Sequence, residues 1–462
     1  MKTFTRFLFL LLACLAGASA ARAAEHTVVF YDPGFPAADS AQVSEAQLRA
    51  GFPGAGLTAA AQLPAALADA DLLVMPYGSA YPEAQWKAIL EYLDRGGNLL
   101  ALGGKPFTRA AYQDAAGWHL RAPSVASSLE LLIHDYQETP GSNGLKFEAN
   151  PDVFPALPEF SWKRAFSPVL RLSVVQKYNR DGSTGDEDAD LTTLVWGTHE
   201  GHKLAAPVFQ IDHNQFRFVG GRWIFVAGDL SDDFFSNAGL LASLTQLALR
   251  KADRFSFRPR VPLFLPGEPL EFVFEPAGSG WPGGDQLRIR VTAEEGGAPV
   301  ELTIPADASQ PVVLPAAAAE GHGLHKVEAT LLRDGKPLWV YRSGFWMRDW
   351  QYLLTGPKLT VGTDYFQLDG KPLPVVGTTY MSSDVARLYL AKPNAYVWDQ
   401  DMAQIHGAGL DMIRTGLWSG WDPELAPNGE VSEEALRTIE AFLMCARHNH
   451  LPVQFNLFAF LP

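Results

Sequence analysis

The side chains best suited to bind a polar organic ligand lie near the C-terminus of the chain. Arg414 ends an apolar run and offers a rigid fork of N–H donors that fits a carboxylate. Trp418 and Trp421 follow it and have flat faces on which a sugar ring could stack. Tyr380 and Asn456 end two other apolar runs. A packing role for the tryptophans and a structural ion pair for Arg414 remain open alternatives.

Alternating strand and helix patterns position these side chains. Short apolar runs end at Tyr380, Arg414 and Asn456, and two helical patterns separate them. Asp399 is expected to cap the first helix and Ser432 the second. Such alternation predicts βαβ units and a parallel sheet. The five candidate residues are therefore expected at or just beyond the carboxyl ends of neighbouring strands.

Several of these segments resemble a known family. Asp369-Gly-Lys-Pro372, Gly377-Thr-Thr-Tyr380 and Gly409-Leu-Asp-Met-Ile-Arg414 look like the opening of the (β/α)8 (TIM) barrel in retaining glycoside hydrolases of the β-galactosidase and cellulase-like clan. The resemblance implies that Arg414 supports a catalytic carboxylate. It also implies a β-linked oligosaccharide or polysaccharide substrate, contacted by Arg414, Trp418, Tyr380, Asn456 and Trp421, and no cofactor.

The length of this region bears on the mechanism. A complete barrel needs about 250 residues, whereas only about 100 follow Thr360. We therefore expect the chain to be a fragment, or an incomplete gene model, cut after the third strand. The clan's two catalytic glutamates end the fourth and seventh strands, so no catalytic residue is expected here. Glu424, Glu430 and Glu433 are interpreted as solvated carboxylates.

The N-terminus has the pattern of an export signal. Lys2 and Arg6 precede a short apolar run, and small-X-small cleavage sites follow, which predicts a signal peptide over residues 1–24 and a periplasmic or secreted protein. A lipoprotein anchor at Cys14 is the alternative. The chain has two cysteines, and the other, Cys445, is expected to be a small core residue.

Composition excludes some classes of partner. The formal net charge is -14 over 462 residues, which argues against nucleic acid and anionic lipid because both require basic surfaces. After residue 24, no apolar run is long enough to span a membrane. The chain length of 462 residues predicts roughly three domains.

Residues 25–252 form a predicted first domain of α/β type. Strand patterns at 27–31, 71–75, 98–102 and 223–227 alternate with helical ones. The layout resembles the flavodoxin-like, class I glutamine amidotransferase-like fold. That family has a nucleophilic cysteine at the turn that corresponds to Gly103-Gly104-Lys105, where this chain has none, so amidase activity is not expected. A scaffold, a lid or a homo-oligomer interface is the expected role.

Residues 253–350 show the alternation of short antiparallel strands, with Asp334-Gly335 as a hairpin signal. They predict a β-sandwich that acts as a spacer or binds carbohydrate, followed by the partial barrel over residues 351–462. No metal site is expected. The acidic segment 178–190 is interpreted as a solvated loop, and His199-Glu-Gly-His202 as a turn, because neither has metal-ligand spacing.

The leading hypothesis is a β-galactosidase-like glycoside hydrolase that acts by a retaining mechanism with two glutamates. A non-enzymatic carbohydrate-binding or assembly protein is the alternative.

Overall fold

The computed structural model describes residues 26–139, 144–170, 189–250, 253–277, 281–417 and 430–457. It is a mixed α/β structure with several separate sheets. Trp418, Trp421, the proposed signal segment and most of the acidic segment 178–190 lie outside the described residues. Within the described ranges, no helix combines the length and apolar character needed to cross a membrane.

The first unit is built on an eight-stranded sheet. Its helices are α1 (Glu45–Gly51), α2 (Leu63–Ala66), α3 (Trp86–Asp94), α4 (Ala126–Glu130), α5 (Asp232–Ser236) and α6 (Ala238–Ala248). The strands of this unit, which belong to the eight-stranded sheet and to two three-stranded sheets, are β1 (Thr27–Phe30), β2 (Gly56–Thr58), β3 (Leu72–Met75), β4 (Ala80–Pro82), β5 (Asn98–Leu102), β6 (Arg109–Asp114), β7 (Gly117–Leu120), β8 (Ile133–Glu138), β9 (Lys146–Ala149), β10 (Trp162–Leu170), β11 (Ala189–His199), β12 (His202–His213), β13 (Arg222–Val226) and β14 (Gly228–Leu230).

The sheet order is β2-β1-β3-β5-β13-β12-β11-β9, and the first five strands are parallel. The strands predicted near residues 27, 71, 98 and 223 are confirmed as β1, β3, β5 and β13. Nearly all their side chains are buried, as expected for parallel strands covered on both faces. At the β11–β12 hairpin, Glu200 and Gly201 have positive φ, which confirms the predicted turn between His199 and His202.

Residues 255–347 form two facing sheets around their own apolar core. The strands are β15 (Phe255–Pro259), β16 (Leu263–Phe264), β17 (Leu270–Pro276), β18 (Gln286–Glu295), β19 (Val300–Pro305), β20 (Val312–Leu314), β21 (His322–Arg333) and β22 (Lys336–Met347). Asp334 and Gly335 both have positive φ between β21 and β22, as a type I′ hairpin turn requires.

The C-terminal unit begins with helix α7 (Trp350–Leu354) and a small antiparallel sheet of β23 (Leu359–Val361), β24 (Phe366–Leu368) and β25 (Lys371–Leu373). Strand β26 (Gly377–Thr379), helix α8 (Ala395–Gly407), β27 (Met412–Gly416), helix α9 (Glu433–His448) and β28 (Val453–Asn456) then alternate. The three strands form a parallel sheet with β27 at its centre, as the sequence predicted. This sheet shares a core with Leu263, Leu324 and Trp346 of the sandwich.

The helix caps were predicted correctly for α9 and wrongly for α8. Ser432 Oγ accepts the Ala435 N–H at the start of α9. Helix α8 instead begins after Asn394, whose side chain accepts the Val397 N–H. The longer helix buries Ala395 and Trp398. Asp399 therefore lies inside the helix, where its carboxylate is buried and accepts hydrogen bonds from the next helix.

Candidate functional site

The parallel register of β26, β27 and β28 collects polar side chains on one face of their sheet. Thr379 pairs with Arg414, Arg414 with Gln454, and Gly416 with Asn456. Since paired residues of adjacent strands point to the same side, Thr379, Arg414, Gln454 and Asn456 share a face, which we call the polar face. Thr379, Arg414 and Gln454 are exposed, and Asn456 is half-buried.

The opposite face of the sheet packs against α8 and α9. Ile413 and Thr415 are fully buried there, beside Phe442 and Met402. This is the packing expected of a βαβ unit, in which helices cover one side of the strands. The polar face is thus held in place by an apolar core directly behind it.

The central contact of the polar face joins Arg414 to Asn456 on the adjacent strand. With the Asn456 amide oxygen facing the guanidinium, it accepts hydrogen bonds from Arg414 Nε and Nη2, both at 3.1 Å. The guanidinium thereby acquires a fixed orientation at the carboxyl ends of the strands. A planar donor group held in this way suits the recognition of a carboxylate or of adjacent hydroxyls.

Gly416 makes room for this arrangement. A Cβ atom at Gly416 would lie 2.2 Å from the carbonyl oxygen of Asn456 and 2.8 Å from its Cβ. Any side chain at this position would push the end of β28 away. The close approach of the strand ends therefore depends on glycine at position 416.

A group of buried hydroxyls supports the strand ends from behind. Tyr389 is fully buried, and its hydroxyl donates to the carbonyl of Gly416 at 2.9 Å. Thr415 Oγ1 lies 2.8 Å from Tyr389 Oη and 3.1 Å from the carbonyl oxygen of Tyr380. These contacts connect the loop after β26 to the end of β27.

Tyr380 lies in that buried layer. Its side chain is 2% exposed, and its hydroxyl donates to Asp401 Oδ2 at 3.0 Å. Burial raises the pKa of Tyr380 far above its ordinary value, and the Asp401 carboxylate adds to this rise. The side chain is therefore a neutral packing group in this structure, and its predicted contact with substrate stays a prediction.

Of the predicted ligand-binding residues, the structure brings Arg414 and Asn456 into contact and places Tyr380 behind them. Trp418 and Trp421 fall outside the described part of the chain. The sequence reasoning missed Gln454 and Tyr389. The period-two alternation of Val453-Gln-Phe-Asn456 is a signal that could have identified Gln454, whereas the contact between Tyr389 and Gly416 spans 27 residues and has no local signature.

The turn after β5, compared above with an amidotransferase nucleophile turn, has a closed geometry. Gly103 and Gly104 both have positive φ. A Cβ atom at Gly104 would lie 2.3 Å from the Ser79 backbone nitrogen, and one at Gly103 would lie 2.6 Å from Ser40 Oγ. Both positions of this turn therefore require glycine.

The first unit also contains a cleft of about 340 Å³ beside the edge strand β9. Its lining residues are Phe147, Glu148, Ala149, Leu157, Pro158, Glu159, Phe160 and Val195. Aromatic surface next to carboxylates is a composition that can bind a sugar, through stacking and hydroxyl hydrogen bonds.

No protein-family model matches the sequence, and no curated protein matches it. Among solved structures, the chain superposes on a GH42 β-galactosidase from G. stearothermophilus with 10% identity and a TM-score of 0.28, covering 70% of this chain and 39% of that one. A β-galactosidase from the haloarchaeon Halorubrum lacusprofundi gives 15% identity and a TM-score of 0.28, with 58% and 36% covered.

A third neighbour, the cold-adapted β-galactosidase from Rahnella sp. R3, gives 14% identity and a TM-score of 0.26, with coverage of 67% and 43%. The chain thus spans about two fifths of the length of these proteins.

Proposed function

We propose that the C-terminal unit is the opening part of a (β/α)8 glycoside hydrolase barrel and that the protein acts on β-linked sugars. The observation that carries this proposal is the polar face: three parallel strands, backed by helices, bring Arg414 and Asn456 together at their carboxyl ends. Barrel enzymes build their active sites from this end of the strands. The resemblance of the segments around Gly377 and Arg414 to the β-galactosidase-like clan supports the same assignment.

In this proposal, Arg414 orients a catalytic carboxylate or binds the substrate. A retaining glycosidase needs two carboxylates about 5 Å apart, one as nucleophile and one as acid/base. The polar face itself has no Asp or Glu. The proposal therefore assigns both carboxylates to strands other than β26, β27 and β28.

The test is hydrolysis of nitrophenyl glycosides by the protein produced from its natural gene. β-Galactoside, β-glucoside and β-glucuronide are the candidate substrates, and the α-galactoside is the stereochemical control. Arg414→Lys is expected to lower the activity on a β-linked substrate roughly 100-fold. The lysine ammonium cannot reproduce the planar set of N–H donors of the guanidinium, and a misplaced positioning group lowers the rate by about that factor. Loss of activity in Gly407→Ala, which alters only a helix end, would indicate general damage instead.

A second candidate, carbohydrate binding without catalysis, is supported by the cleft beside β9. Phe147 and Phe160 line it together with Glu148 and Glu159. Titration of the chain with β-linked oligosaccharides in a calorimeter tests this candidate. Binding that is lost in Phe160→Ala and retained in Arg414→Lys would favour it, whereas the opposite pattern would favour the polar face.

A further inference from the structure

The sandwich and the C-terminal unit meet at His448, the last residue of α9. Its ring lies between two carboxylates that belong to different parts of the fold. Nδ1 is 2.7 Å from Asp399 Oδ1 on α8, and Nε2 is 3.4 Å from Glu294 Oε2 on the sandwich strand β18. The three side chains thus connect α8, α9 and β18.

Both carboxylates are held in place by further contacts. Asp399 is buried and accepts a second hydrogen bond from Asn449 Nδ2 at 2.7 Å. Glu294 Oε2 accepts the Leu324 N–H at 3.1 Å, and Lys326 Nζ lies 3.3 Å from Glu294 Oε1. The carboxylates therefore form a rigid recess into which the imidazole fits.

We propose that protonated His448 forms a pH-dependent link, which we call the clasp, between the sandwich and the C-terminal unit. The interaction between these two parts is stronger at acidic pH and weaker at alkaline pH. Only the imidazolium ring has an N–H at both nitrogens, so only this form can present a donor to both carboxylates. The neutral ring keeps one of the two interactions. Deprotonation therefore weakens the connection between the two parts of the chain.

The charges around the ring support this assignment. The hydrogen bond to Asp399 raises the pKa of His448 above its ordinary value, partial burial opposes this rise, and the Glu294 charge adds to it. Lys326, on strand β21, acts in the opposite direction. The neighbouring Trp346 ring and the buried Cys445 thiol bring no charge to the ring.

The same three side chains could instead ligate a metal ion, since their ligand atoms lie within 4.8 Å of one another. The Lys326 ammonium beside Glu294 opposes a divalent cation more strongly than the singly charged imidazolium. His448 Nδ1 and Asp399 are also hydrogen-bonded to each other, so these two atoms are not available to bind a metal ion. The geometry thus favours a bound proton over a metal.

Calorimetric unfolding of the full chain and of His448→Gln, at pH 5.5 and at pH 8.5, tests the clasp. Glutamine retains a hydrogen-bonding group but does not titrate. The difference in midpoint between the two proteins is expected to be about 1 °C larger at pH 5.5, the shift that roughly 1 kcal/mol produces in a chain of this length. His406→Gln, at an exposed position on α8, serves as the control for the histidine-to-glutamine substitution itself.

A second measurement separates the clasp from a general structural role. In the NMR titration of ring protons, Glu294→Gln is expected to lower the pKa of His448, since the Glu294 charge raises it. An equal midpoint difference at both pH values, or an insensitive His448 pKa, would overturn the proposal. A midpoint increase on adding Zn²⁺ that is present in the wild type and absent in His448→Gln would overturn it in favour of a metal site.

Discussion

With its amide oxygen facing the guanidinium, Asn456 accepts two hydrogen bonds, each 3.1 Å long, from Arg414 on the neighbouring parallel strand. The contact joins the carboxyl ends of β27 and β28 on the polar face. It aligns the guanidinium before any ligand arrives, which reduces the conformational entropy that binding must remove. Gly416 permits this contact, because a side chain there would collide with Asn456.

Gly416→Ala is expected to destabilise the protein by about 1–3 kcal/mol, because overpacking forces a backbone shift. The added methyl group would displace the end of β28 and with it Asn456. Urea unfolding measures the loss. Gly407→Ala is the matched control, since a Cβ atom there meets no atom within 4 Å. The account of the strand ends fails if the two variants are equally stable.

Tyr389→Phe is expected to lower the free energy of unfolding by about 1–3 kcal/mol. The variant leaves the carbonyl of Gly416 and the hydroxyl of Thr415 without their buried partner. The same substitution at Tyr365, which is 56% exposed, should have little effect. Chemical denaturation of both variants makes the comparison, and a neutral Tyr389→Phe would contradict the role assigned to the hydroxyl group.

Asp253→Asn is expected to be among the most destabilising single substitutions, at about 3–5 kcal/mol, because it leaves buried charge without compensation. Asp253 is fully buried and pairs with Arg222 and with Arg250 Nη1, the latter at 3.1 Å. Asp69→Asn removes a carboxylate that is 81% exposed and should cost at most about 1 kcal/mol. Similar unfolding curves for the two variants would refute this prediction.

The stability of the first unit is expected to fall in mild acid because of His213. Burial lowers the pKa of His213 to about 4. Between pH 6.5 and pH 4 the unfolded chain binds a proton that the folded chain excludes, so stability decreases as the pH falls through this window. The expected loss is about 2 kcal/mol at pH 5 relative to pH 7.5.

Unfolding of His213→Leu at the same two pH values provides the comparison. Leucine is a reasonable replacement because neither ring nitrogen of His213 has a hydrogen-bond partner in the described structure. In this variant, the decrease in the free energy of unfolding from pH 7.5 to pH 5 should be smaller by about 2 kcal/mol. An unchanged pH dependence would show that other groups cause it. This trend is opposite in sign to that of His448, whose raised pKa stabilises the fold below pH 6.5 and loses that effect as the pH rises through the folded pKa.

The sequence predicted the elements that are coded locally. Alternating patterns placed β26, β27 and β28 in a parallel sheet, and Asp334-Gly335 specified a hairpin, because each signal lies within a few residues. Tyr380 shows where the reasoning was incomplete. Thr379 pairs with Arg414 on the polar face, and the next residue must point the other way, into the core.

Contacts between distant segments could not be predicted from the sequence. Asp399 looked like a helix cap because aspartate favours that position, yet its carboxylate is bound by His448 and Asn449, about fifty residues away. The recess at Glu294 depends on how the sandwich packs on the C-terminal unit. No local pattern records that packing.

The most direct test of the proposed function is the stereochemistry of the first product. NMR is used to follow hydrolysis of an aryl β-glycoside by the protein from its natural gene. Our account predicts that the β-anomer of the sugar appears first and then mutarotates, as a retaining two-glutamate mechanism requires. Initial release of the α-anomer, or no hydrolysis by the folded protein on any β-linked substrate of the panel, would contradict it.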